Sequence, residues 1–219
     1  MNLLNSFALL GISFLAAIIV VIVHEYAHAF TSWRLGDKLP KFNGRLTLGP
    51  RSHIDIVGIL FMIHSGFGWG RPVETSPRHY KDKKKGTVLA GLSGPLLSLA
   101  LAIIVQAILS VIKVKSLEGT YNLIGYADLY LKTFLGSISV FSFNLAVISL
   151  LPIHPYDGLL IWGKAMSSRS QFRIVQYQHV MLTIFLLVVL ISPEVLGSII
   201  GLLQGLVNWS ISGIVNLII

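Results

Sequence analysis

The sequence predicts an all-α polytopic membrane protein, with about five spanning helices, one short strand and one re-entrant or half-spanning segment. Three observations lead there. The 219 residues are 54% hydrophobic and only 12% charged, where a soluble domain carries about 25% charged residues. The mean hydropathy is +0.77. Five apolar runs each approach or exceed the length of about 20 residues needed to cross a bilayer. No soluble domain fits between them, so residues 1–219 read as one membrane-embedded domain. Its chemistry falls within about residues 3–165, and two C-terminal helices occupy about 174–219.

The first run covers residues 3–33. Nothing is charged before His24, and the basic start of a signal peptide is missing, so the run reads as a retained helix. Residues 45–48, Arg45-Leu46-Thr47-Leu48, alternate polar and apolar as a short strand would. Residues 56–70 are apolar but short and end in Gly66-Phe67-Gly68-Trp69-Gly70, which fits a segment that dips into the bilayer and returns. The second run, 86–112, is uncharged throughout. The third covers 133–151, the fourth 174–191 and the last 195–219, the final two joined by a tight Ser192-Pro193-Glu194 turn.

Charge placement favours that arrangement. With 56–70 re-entrant, all of the 17 Lys and Arg residues except Lys113, Lys115 and Lys132 fall on one side. That is a strong positive-inside bias. It places the N-terminus outside, the C-terminus in the cytoplasm and the chain in the cell membrane as a multi-pass protein. The net charge of +8 thus reports topology, and with no nucleic-acid motif beside it, nucleic acid is not an expected partner. Lys81-Asp82-Lys83-Lys84-Lys85 reads as a solvated loop touching anionic lipid heads.

The first run ends in His24-Glu25-Tyr26-Ala27-His28. Two histidines at i and i+4 share one helix face and can ligate one zinc ion, with the glutamate between them as general base. Three ionisable groups in an apolar helix are costly and usually functional. Cysteine is absent, so Zn2+ would be held by His and carboxylate, and a catalytic site needs a third protein ligand. Asp55, His64, His154 and Asp157 are the candidates, with His53, His79 and His179 behind them. The third helix ends at Leu151-Pro152-Ile153-His154-Pro155-Tyr156-Asp157-Gly158, on the same side as the end of the first. Asp157 therefore reaches a similar depth, and His154 is the next choice. The prolines break the helix, which is tolerated where it lines a cavity.

The His24–His28 motif followed by Leu-Pro-x-x-x-x-Asp-Gly resembles the site-2 protease family of intramembrane zinc metalloproteases. His53-Ile54-Asp55-Ile56-Val57-Gly58, Gly68-Trp69-Gly70-Arg71-Pro72-Val73 and Gly94-Pro95 are similar to further family segments, and Asn144 stands where the family has an Asn ahead of Leu-Pro. The resemblance spans about residues 15–165. It implies that His24, His28 and Asp157 hold Zn2+, that Glu25 is the base, and that peptide bonds are cut in or near a transmembrane segment of a membrane-protein substrate. Asn144 would donate to the substrate backbone or oxyanion, or else tie helices together. The strand-like 45–48 would pair with an extended substrate. The chain resembles the compact form of the family, without an inserted peptide-binding or nucleotide-binding domain. Two positions depart from the family pattern: Ser98 stands for an Asn and His154 for a Pro. Gly201 and Gly205 have the spacing of helix dimerisation, which points to a homodimer. A second functional class, a membrane metal-ion transporter, would use the same His and Asp cluster.

Overall fold

In lipid every backbone polar group must be satisfied within the chain, and helix achieves this within one segment. The computed structural model describes residues 3–114 and 123–218. Five of its helices are long and apolar enough to cross a membrane: α1 (Leu3–Arg34), α5 (Lys83–Val114), α6 (Leu123–Ile148), α8 (Ser168–Ile191) and α9 (Pro193–Ile218). Short helices fill the connections: α2 (Leu39–Phe42), α3 (Pro50–His53), α4 (Ile56–Ser65) and α7 (Gly158–Trp162), with 3₁₀ turns at Pro77–His79 and Gly163–Ala165. The molecule is a multi-pass membrane protein.

α1, α5 and α6 form the core. Ala16, Ala17, Val20 and Val21 of α1 are fully buried, and small side chains there let the other two helices approach. Ala102, Val105 and Leu109 meet them from α5, and Ile138, Phe141 and Leu145 from α6. α9 leans on α5 and α8. Most of α8 and α9 turns apolar side chains outward, Leu187, Leu190, Leu202 and Leu206 among them, as lipid-facing helices do. Gly201 and Gly205 also face open space.

Several boundaries differ from the sequence expectation. α5 starts three residues early because Asp82 accepts from the Lys84 and Lys85 amides, capping the helix. α6 starts at Leu123 rather than 133, and an Asp128–Lys132 pair at 2.7 Å supports the charged turns ahead of the apolar run. α8 starts at Ser168, capped by Ser167. Lys115, counted above with the opposite side, lies outside the described residues.

The expected strand is corrected. No strand occurs among the described residues, and 45–48 is an irregular loop. A strand needs a ladder partner, but here the Arg45 side chain turns inward and takes nearby carbonyl groups for itself.

Residues 56–70 form a hairpin. α4 has ten residues, about 15 Å of helix against a hydrocarbon core of about 30 Å. Asp55 caps its start by accepting from the Gly58 amide at 3.1 Å. Gly66 ends it at φ +81°, a left-handed conformation that favours glycine. The chain then runs back beside the helix, and the Arg71 amide donates to the His53 carbonyl at 2.8 Å. The two ends of the segment meet, so it folds back on itself. Close approach depends on Gly58, where a Cβ would strike the Trp69 carbonyl. Gly58→Ala should therefore destabilise the protein by about 1–3 kcal/mol, read as a lower thermal midpoint in detergent; an unchanged midpoint would contradict the packing.

A buried carboxylate fixes the exit from the hairpin. Asp37 accepts from the Ser32 hydroxyl at 3.0 Å, the Leu39 amide at 3.0 Å and the Ser76 amide at 2.6 Å. The end of α1 is thereby stitched to the chain that leads into α5.

Candidate metal centre

α1 places His24 and His28 one turn apart on the face it presents to α5, where both are buried. Asp157 arrives by a different route. α6 stops at Ile148, the chain hooks through 149–156, and the Asp157 amide donates back to the Ser149 carbonyl at 3.1 Å. Gly158 is required next, because a Cβ there would enter the Leu150 and Leu151 carbonyls. α7 then packs on α5 and closes the hook.

His24, His28 and Asp157 meet. His24 Nε2 and His28 Nε2 are 3.2 Å apart, and Asp157 Oδ2 is 3.1 Å from each. A tetrahedral zinc with bonds of about 2.0–2.1 Å separates neighbouring ligand atoms by about 3.3 Å, so the triangle has the size of one tetrahedral face. Hydrogen bonds orient both rings. His28 Nδ1–H donates to the Ala90 carbonyl at 2.7 Å, which leaves the Nε2 lone pair directed at the triangle. His24 Nδ1 pairs with the Ser98 hydroxyl at 2.9 Å. Two imidazole lone pairs and a carboxylate oxygen at such separations repel one another unless a cation lies among them. A metal ion held here would take both rings neutral and Asp157 as the carboxylate. Among the described residues these three are the group able to hold a metal ion.

The backbone of α5 makes room. A Cβ on Gly94 would overlap His28 Nε2 and lie 2.8 Å from His24 Nε2. Glu25, one residue on from His24, is buried too, and its Oε2 has no hydrogen-bond partner. Its carboxylate lies against Gly70 on the returning arm of the hairpin. Beside the triangle is a cavity of about 320 Å³, bounded by residues 72–75 on one wall and 154–160 on the other, with Gln178 of α8 also lining it.

The other candidates stand apart from this group. Asp55 caps α4. His64 lies in its last turn. His53 contacts the Thr47 carbonyl at 2.6 Å. His79 faces Asp37 at 3.8 Å. His154 is exposed and lines the cavity, and His179 is exposed on α8. Asn144 donates its amide to the Gly66 carbonyl at 2.9 Å, tying the hairpin tip to α6. Sequence reasoning missed the Ala90 carbonyl, since a backbone acceptor leaves no mark in the sequence. It had Ser98 only as a departure from a pattern, without its imidazole partner.

No family model matches the chain, and no solved structure matches it significantly. Curated relatives do. "Putative zinc metalloprotease YwhC" of Bacillus subtilis (strain 168) is 30% identical over 177 residues, covering 80% of this chain and 77% of the relative. "Putative zinc metalloprotease Rip2" of Mycobacterium tuberculosis (strain ATCC 25618 / H37Rv) is 28% identical over 193 residues, covering 86% of this chain and 70% of the relative. The metal-ion transporter reading finds no support among them. With both His–carboxylate chemistry and kinship pointing to Zn2+ as the cofactor, the chain belongs to the zinc metalloproteases of the site-2 protease type.

Proposed function

We propose that this protein hydrolyses peptide bonds in or near the transmembrane segment of other membrane proteins, with His24, His28 and Asp157 as metal ligands and Glu25 as general base. The observation that carries the reading is the convergence of two distant segments, α1 and the hook after α6, on one triangle of donor atoms beside an open cavity. Zinc, when bound, supplies a Lewis acid that polarises the scissile carbonyl and makes water acidic enough to react near neutral pH.

The chain's own groups do the rest. Glu25 accepts a proton from the attacking water and returns it to the amine nitrogen as the C–N bond breaks. Its unpartnered Oε2 is free for this transfer. Asp157 and the two imidazoles stay fixed through Ser149, Ala90 and Ser98, so little reorganisation accompanies the reaction. The cavity admits an extended peptide between residues 72–75 and 154–160; a substrate helix therefore unwinds at the cut. In this reading Asn144 anchors the hairpin rather than touching substrate. Residues 1–219 act as one membrane-embedded domain. In this reading the active site lies toward the cytoplasm, with the N-terminus outside and the C-terminus inside, which the bias of the basic connections supports.

The test is metal removal. The purified chain in detergent should hold about one zinc per molecule and cut single-span substrates. Chelation should abolish cutting and added zinc should restore it. Turnover that ignores chelation, or a chain that takes up no zinc, would overturn the reading.

A further inference from the structure

We propose that Arg45 is a positioning residue for Glu25, acting through the extended chain at residues 70–73. The inference rests on Glu25 being the general base.

Arg45 is a buried cation, 6% exposed, on a loop far from the metal ligands in sequence. Burying a guanidinium is costly unless its donors are satisfied. Here they are satisfied by backbone. Nη1 donates to the Ser52 carbonyl and to the Arg71 carbonyl, the latter at 3.1 Å, and Nη2 donates to the Pro72 carbonyl at 2.8 Å. No carboxylate lies within ion-pair distance of it among the described residues. A planar fork with several donors can bridge three carbonyls at once, which a lysine ammonium on a flexible stem does poorly.

The clamped residues sit directly on the base. Gly70, adjacent to Arg71, packs so closely on Glu25 that a Cβ would lie 2.7 Å from Glu25 Oε1. Arg45 thus holds the two residues that follow this contact, Arg71 and Pro72. Removing the clamp frees the 70–73 chain to shift, and Glu25 loses the surface that fixes its rotamer. A small misplacement of a catalytic group lowers turnover steeply, while the metal ligands, held by α5 and the hook, keep their geometry.

The full chain in detergent, loaded with zinc, provides the test. Arg45→Gln, Arg45→Lys and Glu25→Gln are compared for zinc per chain, for kcat and KM on a single-span substrate, and for the Kd of a simple peptide hydroxamate, whose hydroxyl proton the base accepts. Expected for Arg45→Gln is parental zinc, a KM within about threefold and a kcat lower by about tenfold or more. Arg45→Lys, which keeps the charge but not the fork, should recover only part of the rate. Hydroxamate affinity should fall about tenfold in Arg45→Gln, and that loss should vanish in the Glu25→Gln background, because the coupled group is gone. A parental kcat overturns the proposal, as does a rise in KM alone, or an equal hydroxamate loss in both backgrounds. If Arg45→Gln fails to hold zinc, Arg45→Lys decides by the same criteria, and zinc loss in both variants overturns it, since Arg45 would then serve the fold. Failure of the underlying reading is separate: Glu25→Gln would retain turnover.

Discussion

Gly94→Ala should empty the metal centre. The added methyl overlaps His28 Nε2, lies 2.7 Å from His28 Cε1 and 2.8 Å from His24 Nε2, so it takes the space toward which both donor nitrogens point. α5 cannot retreat to make room, because its neighbouring turns pack in the core through Ala90 and the fully buried Ser98. The helix itself gains from the change, since Ala is favoured over Gly in a helix interior by about 1 kcal/mol. Zinc loss therefore reports on the site and not on α5 folding. Zinc affinity should drop by about a hundredfold or more, since changes merely to the groups supporting metal ligands already cost about 10–100-fold, and cleavage should fall below detection. Zinc per chain and the thermal midpoint are measured together. Parental zinc in Gly94→Ala would show that α5 does not approach the two imidazoles as described.

Glu25→Gln should separate metal binding from turnover. The amide nearly matches the carboxylate in shape, so the pocket between α1 and the hairpin still closes over it, and none of the three ligands changes. The lost property is proton acceptance. General base catalysis contributes about 10²–10⁴-fold, equivalent to about 2.7–5.4 kcal/mol of barrier at 1.36 kcal/mol per tenfold. Zinc per chain should stay parental while kcat falls by that factor. A rate within threefold of the parent would remove Glu25 from the mechanism, and zinc loss would make it a structural residue.

The parts of this molecule that sequence alone discloses are those with local geometry. Two imidazoles at i and i+4 face one way on any helix, and burying them with a glutamate in an uncharged run leaves few bland explanations. Asp157 was accessible by counting crossings, because two helices that end on the same side bring their ends to one depth. The short hairpin was signalled by length and by its glycines. Arg45 was not legible. Its alternation with Leu46, Thr47 and Leu48 follows a period of two, the mark of a strand with an apolar inner face. Here Arg45 is inside, while Thr47 is exposed and the apolar Leu48 is 65% exposed. Burial does not follow the alternation, and the backbone has no partner. The early start of α6 was hidden for a related reason, since charged turns supported by Asp128 and Lys132 extend the helix beyond the apolar run that the sequence reading used as its limit.

One face of α5 supplies nearly everything that surrounds the imidazole pair: the Ala90 carbonyl on one ring, the space at Gly94, the Ser98 hydroxyl on the other ring, and Gly91 against α7. Ala90, Gly94 and Ser98 come at steps of four residues, and Gly91 lies three before Gly94, so they are aligned by helical phase. Connections elsewhere can lengthen without moving any of them, whereas one residue inserted between 91 and 97 turns part of that face by about 100°. The chain's tolerance to insertion is thus set by angle along a single helix, and not by distance from the metal.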